Sequence, residues 1–331
     1  MKNLVKIQMI LPGLALAACV AALAYFTAEA LPFSAMLIAL FLGFSLHPLC
    51  AKKSYFTNGV SFAATDVLKF GIVCLGARIN LTMIADIGWA TFLLVLVMMV
   101  ITTFFGLFIG RKMGLSRGLS ILIAGGVSVC GSAAALALCS VLPRHEKHDM
   151  DLVFVIVGVT ILSTVGMIVY PFILGLLPLD ETKTGVVLGA SLHNVAQAVA
   201  SGFSVSDGVG DTATIVKLMR VSMLAPYILI LSFIIRRTMD INTPRHRPAI
   251  LPVFIIGFIG LTCLNSMGFI PESVAALLIF TSKSCLLISV VAIGIRTAFG
   301  QFRTVDPSAI KLLSLLTVIL FAGTILIAGV I

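Results

Sequence analysis

The chain has 331 residues, of which 60% are hydrophobic and only 11% are charged, and its mean hydropathy is +1.18. A water-soluble domain would carry about 25% charged residues, so this composition excludes a soluble protein and indicates a membrane protein. The net charge of +9 does not indicate nucleic-acid binding, because most basic residues lie in short loops between apolar stretches. Basic loops of that kind set the orientation of a protein in the bilayer.

The apolar stretches predict an all-α polytopic membrane protein, because about 20 consecutive apolar residues cross the hydrocarbon core as a helix. We expect one integral-membrane transporter domain over 1-331, with an N-terminal half at 11-177 and a C-terminal half at 184-331. The eleven predicted spans are 11–28, 33–46, 60–79, 90–110, 119–140, 152–177, 184–202, 213–235, 249–265, 274–295 and 310–331. Lys2, Lys6 and the run ending at Cys19 resemble a signal peptide, but we expect this segment to remain as the first span.

The loop charges provide a separate test of this count. With the N-terminus inside, the loops assigned to the cytoplasm hold fifteen basic residues and the loops assigned outside hold two. The inner group is Lys2, Lys6, Lys52, Lys53, Arg111, Lys112, Arg117, Lys183, Arg236, Arg237, Arg245, Arg247, Arg296, Arg303 and Lys311, and the outer group is Arg144 and Lys147. This asymmetry predicts eleven crossings, with a cytoplasmic N-terminus and with Ile331 outside.

Five basic side chains lie inside otherwise apolar stretches, with one acidic residue among them. The basic residues are Lys69, Arg78, Lys217, Arg220 and Lys283, and the acidic one is Asp66. A Lys or Arg at the centre of a bilayer costs roughly 2.5–3.5 kcal/mol on insertion scales, so such residues persist mainly where they line a cavity. Because the surplus is positive, we expect the cavity to accept a small anionic solute.

The cysteines do not indicate a disulfide framework or a zinc site. There are seven, an odd number, and all but Cys50 lie in apolar stretches: Cys19, Cys50, Cys74, Cys130, Cys139, Cys263 and Cys285. Free thiols are the simplest reading. We therefore predict no metal and no cofactor.

A short internal repeat relates the third and tenth predicted spans. Both end in Gly-x-Arg, at Gly76-Ala77-Arg78 and Gly294-Ile295-Arg296, with an offset of 218 residues. Because the two spans run in opposite directions, the repeat would be inverted, a frequent plan of secondary transporters. The alternative is that each Arg only snorkels at a helix end. For the transporter reading, Asp66, Arg78, Lys283 and Arg296 are candidate coupling or gating residues.

The fifth predicted span contains a segment that is too rich in glycine and serine for a plain helix. Within 124-135, three glycines and two serines fall in eight residues. A break there would expose backbone N–H groups at the start of a half-helix, which favour an anion. Ser128, Cys130 and Ser132 are the candidate binding residues. Close packing of helices through small residues is the alternative.

The seventh predicted span contains a polar segment at 188-202, which we also predict to be interrupted. His193 and Gln197 are spaced i, i+4 and would share one helix face, with Asn194 beside them. Polar side chains at mid-span are costly unless they bond to one another, to water or to a substrate. The segment therefore indicates a ligand or proton site, or hydrogen bonds between helices.

The eighth predicted span carries Lys217 and Arg220 on one helix face, at i, i+3, with Asp211 near its start. Arg220 lies too deep to snorkel comfortably, and its planar guanidinium can bind an oxyanion through two N–H groups. We expect Arg220 to be the main anion-binding residue. Lys283 is the next candidate, whereas Asp66 would neutralise Lys69 one turn away.

Three runs in this chain resemble a family of bacterial inner-membrane proteins that is usually labelled as sulfate exporters. The runs are Gly125 to Leu138, Ser191-Leu192-His193-Asn194-Val195-Ala196-Gln197 and Ile215 to Pro226, and the likeness extends from about Leu11 to Ile331. The resemblance implies a location in the bacterial inner (plasma) membrane, where the outer C-terminus would be periplasmic. It also implies a sulfate-type anion as substrate and a fold related to the bile-acid symporter and sodium/proton antiporter superfamily. Asn194 is neutral here, so the resemblance does not extend to a carboxylate at that position.

These observations favour a secondary transporter that moves a small anion, such as sulfate or sulfite, by alternating access. A cation/proton antiporter would need a carboxylate deep in the membrane, and Asp66 is the one candidate near that depth. A passive anion channel could share the same lining residues. We expect no enzymatic activity, because no nucleophile motif of known spacing is present. A homodimer remains open.

Overall fold

The computed structural model describes residues 2–30, 34–50, 54–143, 148–239, 253–296 and 307–330. The described part is all-helical, which confirms the predicted class. Its α-helices are α1 (Lys2–Ala30), α2 (Ala35–Cys50), α3 (Ser54–Phe62), α4 (Leu68–Leu75), α5 (Leu81–Lys112), α6 (Arg117–Ser128), α7 (Ser132–Cys139), α8 (His148–Gly175), α9 (Glu181–Ser191), α10 (Val195–Val205), α11 (Asp207–Ser222), α12 (Leu224–Met239), α13 (Val253–Ser266), α14 (Glu272–Arg296) and α15 (Pro307–Val330). A π-helical turn, Ala63–Val67, joins α3 to α4.

Seven stretches in the described residues are helical, long enough and apolar enough to cross a membrane. They are Met9–Glu29, Tyr55–Leu75, Leu81–Lys112, Met150–Gly175, Asp207–Ile235, Glu272–Arg296 and Pro307–Val330. Four shorter apolar helices lie at Ala35–Pro48, Arg117–Ser128, Val195–Val205 and Val253–Ser266. Each predicted span overlaps at least one of these helices, but the number of crossings stays a prediction. Seven of the loop charges, Lys52, Lys53, Arg144, Lys147, Arg245, Arg247 and Arg303, lie outside the described residues.

Many large apolar side chains on these helices are exposed, as expected for helices that face lipid. Trp89 is 78% exposed and Phe172 is 65% exposed. A water-soluble protein rarely carries so many exposed aromatic and aliphatic side chains. The surface therefore agrees with the membrane class that the composition predicts.

Both predicted interruptions are present. Helix α6 ends at Ser128 and α7 begins at Ser132, and Gly131 between them has a φ of +59°, a conformation that favours glycine. Helix α9 ends at Ser191, and Leu192 is extended (φ −66°, ψ 143°) before α10 begins at Val195. The predicted shared helix face of His193 and Gln197 is wrong, because His193 lies in the break and only Gln197 is helical.

The described residues form two compact units, and each is made of separate pieces of the chain. The first unit comprises residues 1–87, 199–211 and 252–298. In it, α14 packs against α2 and α4, and α1 packs against α3. Helices α2 and α14 come close at Gly43 and Gly294, where a Cβ on Gly43 would lie 2.4 Å from the Val291 carbonyl oxygen. The first Gly-x-Arg segment thus follows the last residue of α4, and the second lies at the end of α14, which packs against α4. An inverted repeat stays a prediction.

The second unit comprises residues 88–198, 212–251 and 299–331. Within it, α6 packs against α7, α8 and α15, and α15 also packs against α8 and α9. Tyr170 of α8 stacks on Phe321 of α15, with ring centroids 3.7 Å apart. This unit holds both helix breaks, so most of the residues predicted to bind substrate lie in it.

Candidate functional site

The two helix breaks meet inside the second unit. A Cβ added to Gly131, in the first break, would lie 3.0 Å from Asn194 Oδ1 and 3.6 Å from His193 Cβ, both in the second break. Each break leaves backbone groups of two helix ends without helical partners. The structure thus brings the segments predicted at 124-135 and 188-202 together, although they are far apart in sequence.

Arg220 of α11 joins the two breaks. Its Nε donates to the Ser128 carbonyl (2.7 Å), and Nη2 donates to the Val127 carbonyl at the end of α6. Its Nη1 donates to the carbonyls of Ala190 (2.5 Å) and Leu192 (3.3 Å) at the end of α9. Four N–H groups of one guanidinium therefore satisfy carbonyls of both helix C-termini, a stabilising arrangement for a cation. The sequence did not predict this structural role.

Lys217 lies one turn before Arg220 on the same helix and is also fully buried, with 0% of its surface exposed. Its ammonium donates to the Leu192 carbonyl in the second break. A lysine ammonium has three donors, so this group keeps capacity for further bonds. Among the described residues, no carboxylate forms an ion pair with Lys217 or Arg220.

His193 is held at the second break by hydroxyl groups from neighbouring helices. Its backbone N–H donates to Ser163 Oγ of α8 (3.0 Å), and its Nε2 lies 3.0 Å from Thr317 Oγ1 of α15. The imidazole is completely buried, and Nδ1 has no hydrogen-bond partner. Serine and threonine hydroxyls within apolar helices thus fix the position of a polar side chain that would otherwise be costly to bury.

Gln197 lies in the first turn of α10 and points its amide at α8. Its Nε2 donates to Thr164 Oγ1 (2.6 Å) and to the Thr160 carbonyl (3.2 Å), so the orientation of the amide is fixed. Its Oε1 is buried and has no hydrogen-bond partner. The second break therefore carries two buried polar atoms, one on His193 and one on Gln197, that no described group satisfies.

The first break contributes less to this cluster than the sequence predicts. The Ser128 hydroxyl donates to the Ala124 carbonyl (2.5 Å) and contacts Thr103 Oγ1 (2.9 Å), which in turn contacts Tyr227 OH (3.0 Å). The Ser128 group that binds Arg220 is the backbone carbonyl, not the hydroxyl. The Cys130 side chain, in the same break, is buried.

Ser132 and Asn194 are the remaining predicted binding residues, and both are only partly buried. Ser132 is the first residue of α7, next to Gly131. The Asn194 backbone N–H lies 3.4 Å from Ser163 Oγ, and its side chain faces Gly131. Ser132 thus lies at the first break and Asn194 at the second, where the two breaks approach each other.

The first unit holds a separate ion-pair network. Arg78 Nε donates to Asp211 Oδ2 (2.8 Å), and Arg78 Nη1 lies 3.2 Å from Asp207 Oδ2. Lys283 also donates to Asp207 Oδ2, at 2.9 Å. The interpretation that Asp66 is the one acidic partner of the intramembrane bases is therefore wrong. The pairing of Arg78 with Asp207 and Asp211 was not predicted, because these two residues lie on a helix more than 120 residues further along the chain.

Asp211 is the buried member of this network. It is 2% exposed, and its Oδ1 has no hydrogen-bond partner although Oδ2 binds Arg78. Asp207 and Lys283, in contrast, have side chains about half exposed, at 52% and 47%. Lys283 thus has an acidic partner in the first unit and belongs to this network.

The other coupling candidates lie at exposed positions of the first unit. Asp66 pairs with Lys69 at 3.4 Å, as predicted, and both side chains are about half exposed. Asp66 also lines a cleft of about 590 Å³ with Met9 and Asn58 among its neighbours. Arg296 ends α14 with an exposed side chain.

The hydroxyl groups that hold the site were not predicted from the sequence. They are those of Thr103, Ser163, Thr164 and Thr317, together with that of Tyr227. A usable signal was present in α8, where Thr160, Ser163 and Thr164 recur at i, i+3 and i+4 within an apolar span and so share one face. Such a polar stripe indicates a partner on the facing helix.

The comparison with known proteins now decides the family. Residues 12–316 match the family described as Conserved hypothetical protein 698. The chain belongs to this family. It is 42% identical over 310 residues to the UPF0324 membrane protein TauZ of Paracoccus pantotrophus, covering 93% of this chain and 92% of that protein. It is also 37% identical to the UPF0324 membrane protein RA0957 of Rhizobium meliloti (strain 1021), covering 94% and 89%.

A more distant member is the UPF0324 membrane protein of Helicobacter hepaticus, which is 34% identical over 319 residues and is covered to 91%. No solved structure matches the chain. The family places this chain among multi-pass membrane proteins of bacteria. These descriptions name no substrate, so the sulfate label implied by the resemblance stays a prediction.

Proposed function

We propose that this protein is a secondary transporter that moves a small anion across the bacterial inner membrane by alternating access. One observation carries the proposal: Lys217 and Arg220 are fully buried, and no carboxylate neutralises them among the described residues. A buried charge without a counter-ion is costly, and such a residue within a membrane helix is expected to serve a solute pathway.

The helix ends at the breaks do not cancel this charge. The C-termini of α6 and α9 each contribute about −0.5 of an elementary charge, and the N-termini of α7 and α10 each contribute about +0.5. These four partial charges sum to about zero, so the helix ends supply no net counter-charge to the two basic residues. A bound anion would supply the missing counter-charge.

The roles of the two basic residues differ. Arg220 donates four hydrogen bonds to backbone carbonyls of both breaks, which leaves one of its five N–H donors. Arg220 therefore holds the two breaks in place. Lys217 has one described hydrogen bond. We propose that Lys217 gives the anion a direct donor, while Arg220 mainly supplies charge and shape. Oxyanions such as sulfite and sulfate are the first substrates to test.

For the membrane arrangement, we propose eleven crossings with a cytoplasmic N-terminus. The seven long apolar stretches and the four shorter apolar helices together make eleven. Helix α6 would cross the membrane together with α7, and α10 together with α9, because each pair forms one interrupted span. An inverted repeat and a homodimer are further expectations of this proposal.

The test is counterflow of labelled sulfite and labelled sulfate in proteoliposomes. The informative variant is Lys217→Gln, which removes the charge but keeps an N–H donor for Leu192. Lys69→Gln is the matched control, because it makes the same change at a half-exposed lysine in α4, which belongs to the first unit. We expect saturable exchange of at least one of the two anions in the wild type and the control, and its loss in Lys217→Gln. Exchange at the wild-type rate in Lys217→Gln would contradict the assignment.

A cation/proton antiporter is the second candidate, and Asp211 favours it. This reading needs a carboxylate buried in an apolar span, and Asp211 is 2% exposed with one unpartnered oxygen. The same proteoliposomes separate the two readings: a proton flux that depends on an added cation and is lost in Asp211→Asn would support the antiporter. A passive anion channel would instead give current far above carrier turnover, without counterflow.

A further inference from the structure

The second helix break contains hydrogen-bond acceptors, as well as the donors that an anion needs. Gln197 Oε1 is the clearest case. The Thr164 hydroxyl donates to the Thr160 carbonyl (2.8 Å), so Thr164 Oγ1 must accept the 2.6 Å bond from Gln197. The amide nitrogen therefore faces α8, and the unpartnered buried atom is the oxygen. A carbonyl oxygen of this kind can only accept.

The oxygen of Gln197 is the acceptor that the hydrogen bonds of the site fix. His193 Nε2 contacts Thr317 Oγ1 at 3.0 Å, and the tautomer of the imidazole decides which of the two donates, so neither ring nitrogen is assigned as an acceptor. Gln197 lies five residues after Leu192, whose carbonyl binds the two basic side chains.

A buried acceptor without a donor is costly, and native proteins rarely leave one unsatisfied. A fully deprotonated oxyanion cannot satisfy Gln197 Oε1, because it is itself an acceptor only. We propose that the substrate is an anion that carries its own donor hydrogen, of the hydrogensulfite or bicarbonate class. Its negative oxygens would face Lys217, and its O–H would face Gln197.

This inference rests on the proposed anion transport and selects among anions. Sulfate, a dianion without hydrogen at neutral pH, would be a poor substrate. Sulfite exchanges between the dianion and hydrogensulfite near neutrality, so its transport would follow the hydrogensulfite fraction. The site would thus reject an anion without a donor hydrogen by leaving Gln197 Oε1 unpaired, the mechanism by which polar pockets discriminate most strongly.

The test uses two competitors that differ by one hydrogen. Bicarbonate and nitrate are planar monoanions of similar size, and only bicarbonate has an O–H. Each is titrated against counterflow of labelled sulfite in proteoliposomes of the wild-type protein at fixed pH. We expect bicarbonate to inhibit at a concentration about tenfold lower than nitrate, as one additional hydrogen bond would give.

One variant and its matched control test whether Gln197 is the acceptor. Gln197→Met removes the free oxygen at similar volume, and the preference for bicarbonate should fall towards one. Asn58→Met is the matched control, because Asn58 is an exposed amide on α3, and it should keep the wild-type ratio.

Equal inhibition by nitrate and bicarbonate in wild-type protein that exchanges sulfite would overturn the donor requirement and leave anion transport intact. That comparison needs no variant, so a Gln197→Met protein that fails to fold does not weaken it. Absence of counterflow with every anion in folded protein would overturn both the transport proposal and this inference.

Discussion

Removal of the Arg220 guanidinium should destabilise the second unit severely. Its N–H groups bind carbonyls of Val127, Ser128 and Ala190 at the ends of α6 and α9, where no further helical N–H follows. Each buried carbonyl left without a donor costs about 1–3 kcal/mol. Three of them would cost roughly 3–9 kcal/mol, which is comparable to the total stability of about 5–15 kcal/mol of many proteins.

The variant for this prediction is Arg220→Met, and the free energy of unfolding in detergent micelles is the quantity to measure. We expect little monodisperse protein or a large fall in that free energy. Arg220→Lys should recover only part of the loss, because an ammonium keeps the charge but not the planar fork that reaches two helix ends.

The matched control is Arg296→Met, which makes the same chemical change at the exposed end of α14. A surface change of this kind should alter the free energy of unfolding by no more than about 0.5 kcal/mol. If Arg220→Met unfolds with the same free energy as the wild type, the guanidinium does not hold the two breaks together.

Four further changes test the packing and the ion pairs through the free energy of unfolding. Gly131→Ala should lower it by about 1–3 kcal/mol, since residue 131 has a positive φ and a Cβ would meet Asn194; no change would contradict the break geometry. Gly43→Ala should lower it by about 1–3 kcal/mol through overpacking against the Val291 carbonyl. Arg78→Gln should cost about 3–5 kcal/mol by leaving the Asp211 carboxylate buried and unpaired, and adding Asp211→Asn should restore part of that loss. Lys69→Gln should cost at most about 1 kcal/mol, because its ion pair is half exposed.

Local features of the fold could be predicted from the sequence. Apolar stretches of sufficient length predicted the helices, and the two interruptions followed from Gly125, Gly126 and Gly131 and from the polar run at His193. The pairing of Lys69 with Asp66 also followed, because one helical turn separates them. Each of these features depends on residues close together in sequence, where spacing alone fixes which groups can meet.

Long-range contacts could not be predicted in this way. The partner of Arg78 is Asp211, 133 residues further along the chain, and Gln197 binds a helix more than 30 residues away. No periodicity in the sequence specifies such pairs. The sequence indicated that Arg220 is buried and charged, but only the structure shows that backbone carbonyls occupy most of its donors. Because most donors of Arg220 are occupied, we expect the direct contact with the anion at Lys217 instead of Arg220.

The most direct test of anion transport is counterflow of labelled sulfite in proteoliposomes that contain the wild type, Lys217→Gln or Lys69→Gln. The account predicts saturable exchange with the wild type and Lys69→Gln, and none with Lys217→Gln when that variant is folded. Equal exchange in all three proteins would contradict the role of the buried charge at Lys217. Absence of exchange in the folded wild type, with sulfite and with every other anion tested, would contradict anion transport itself.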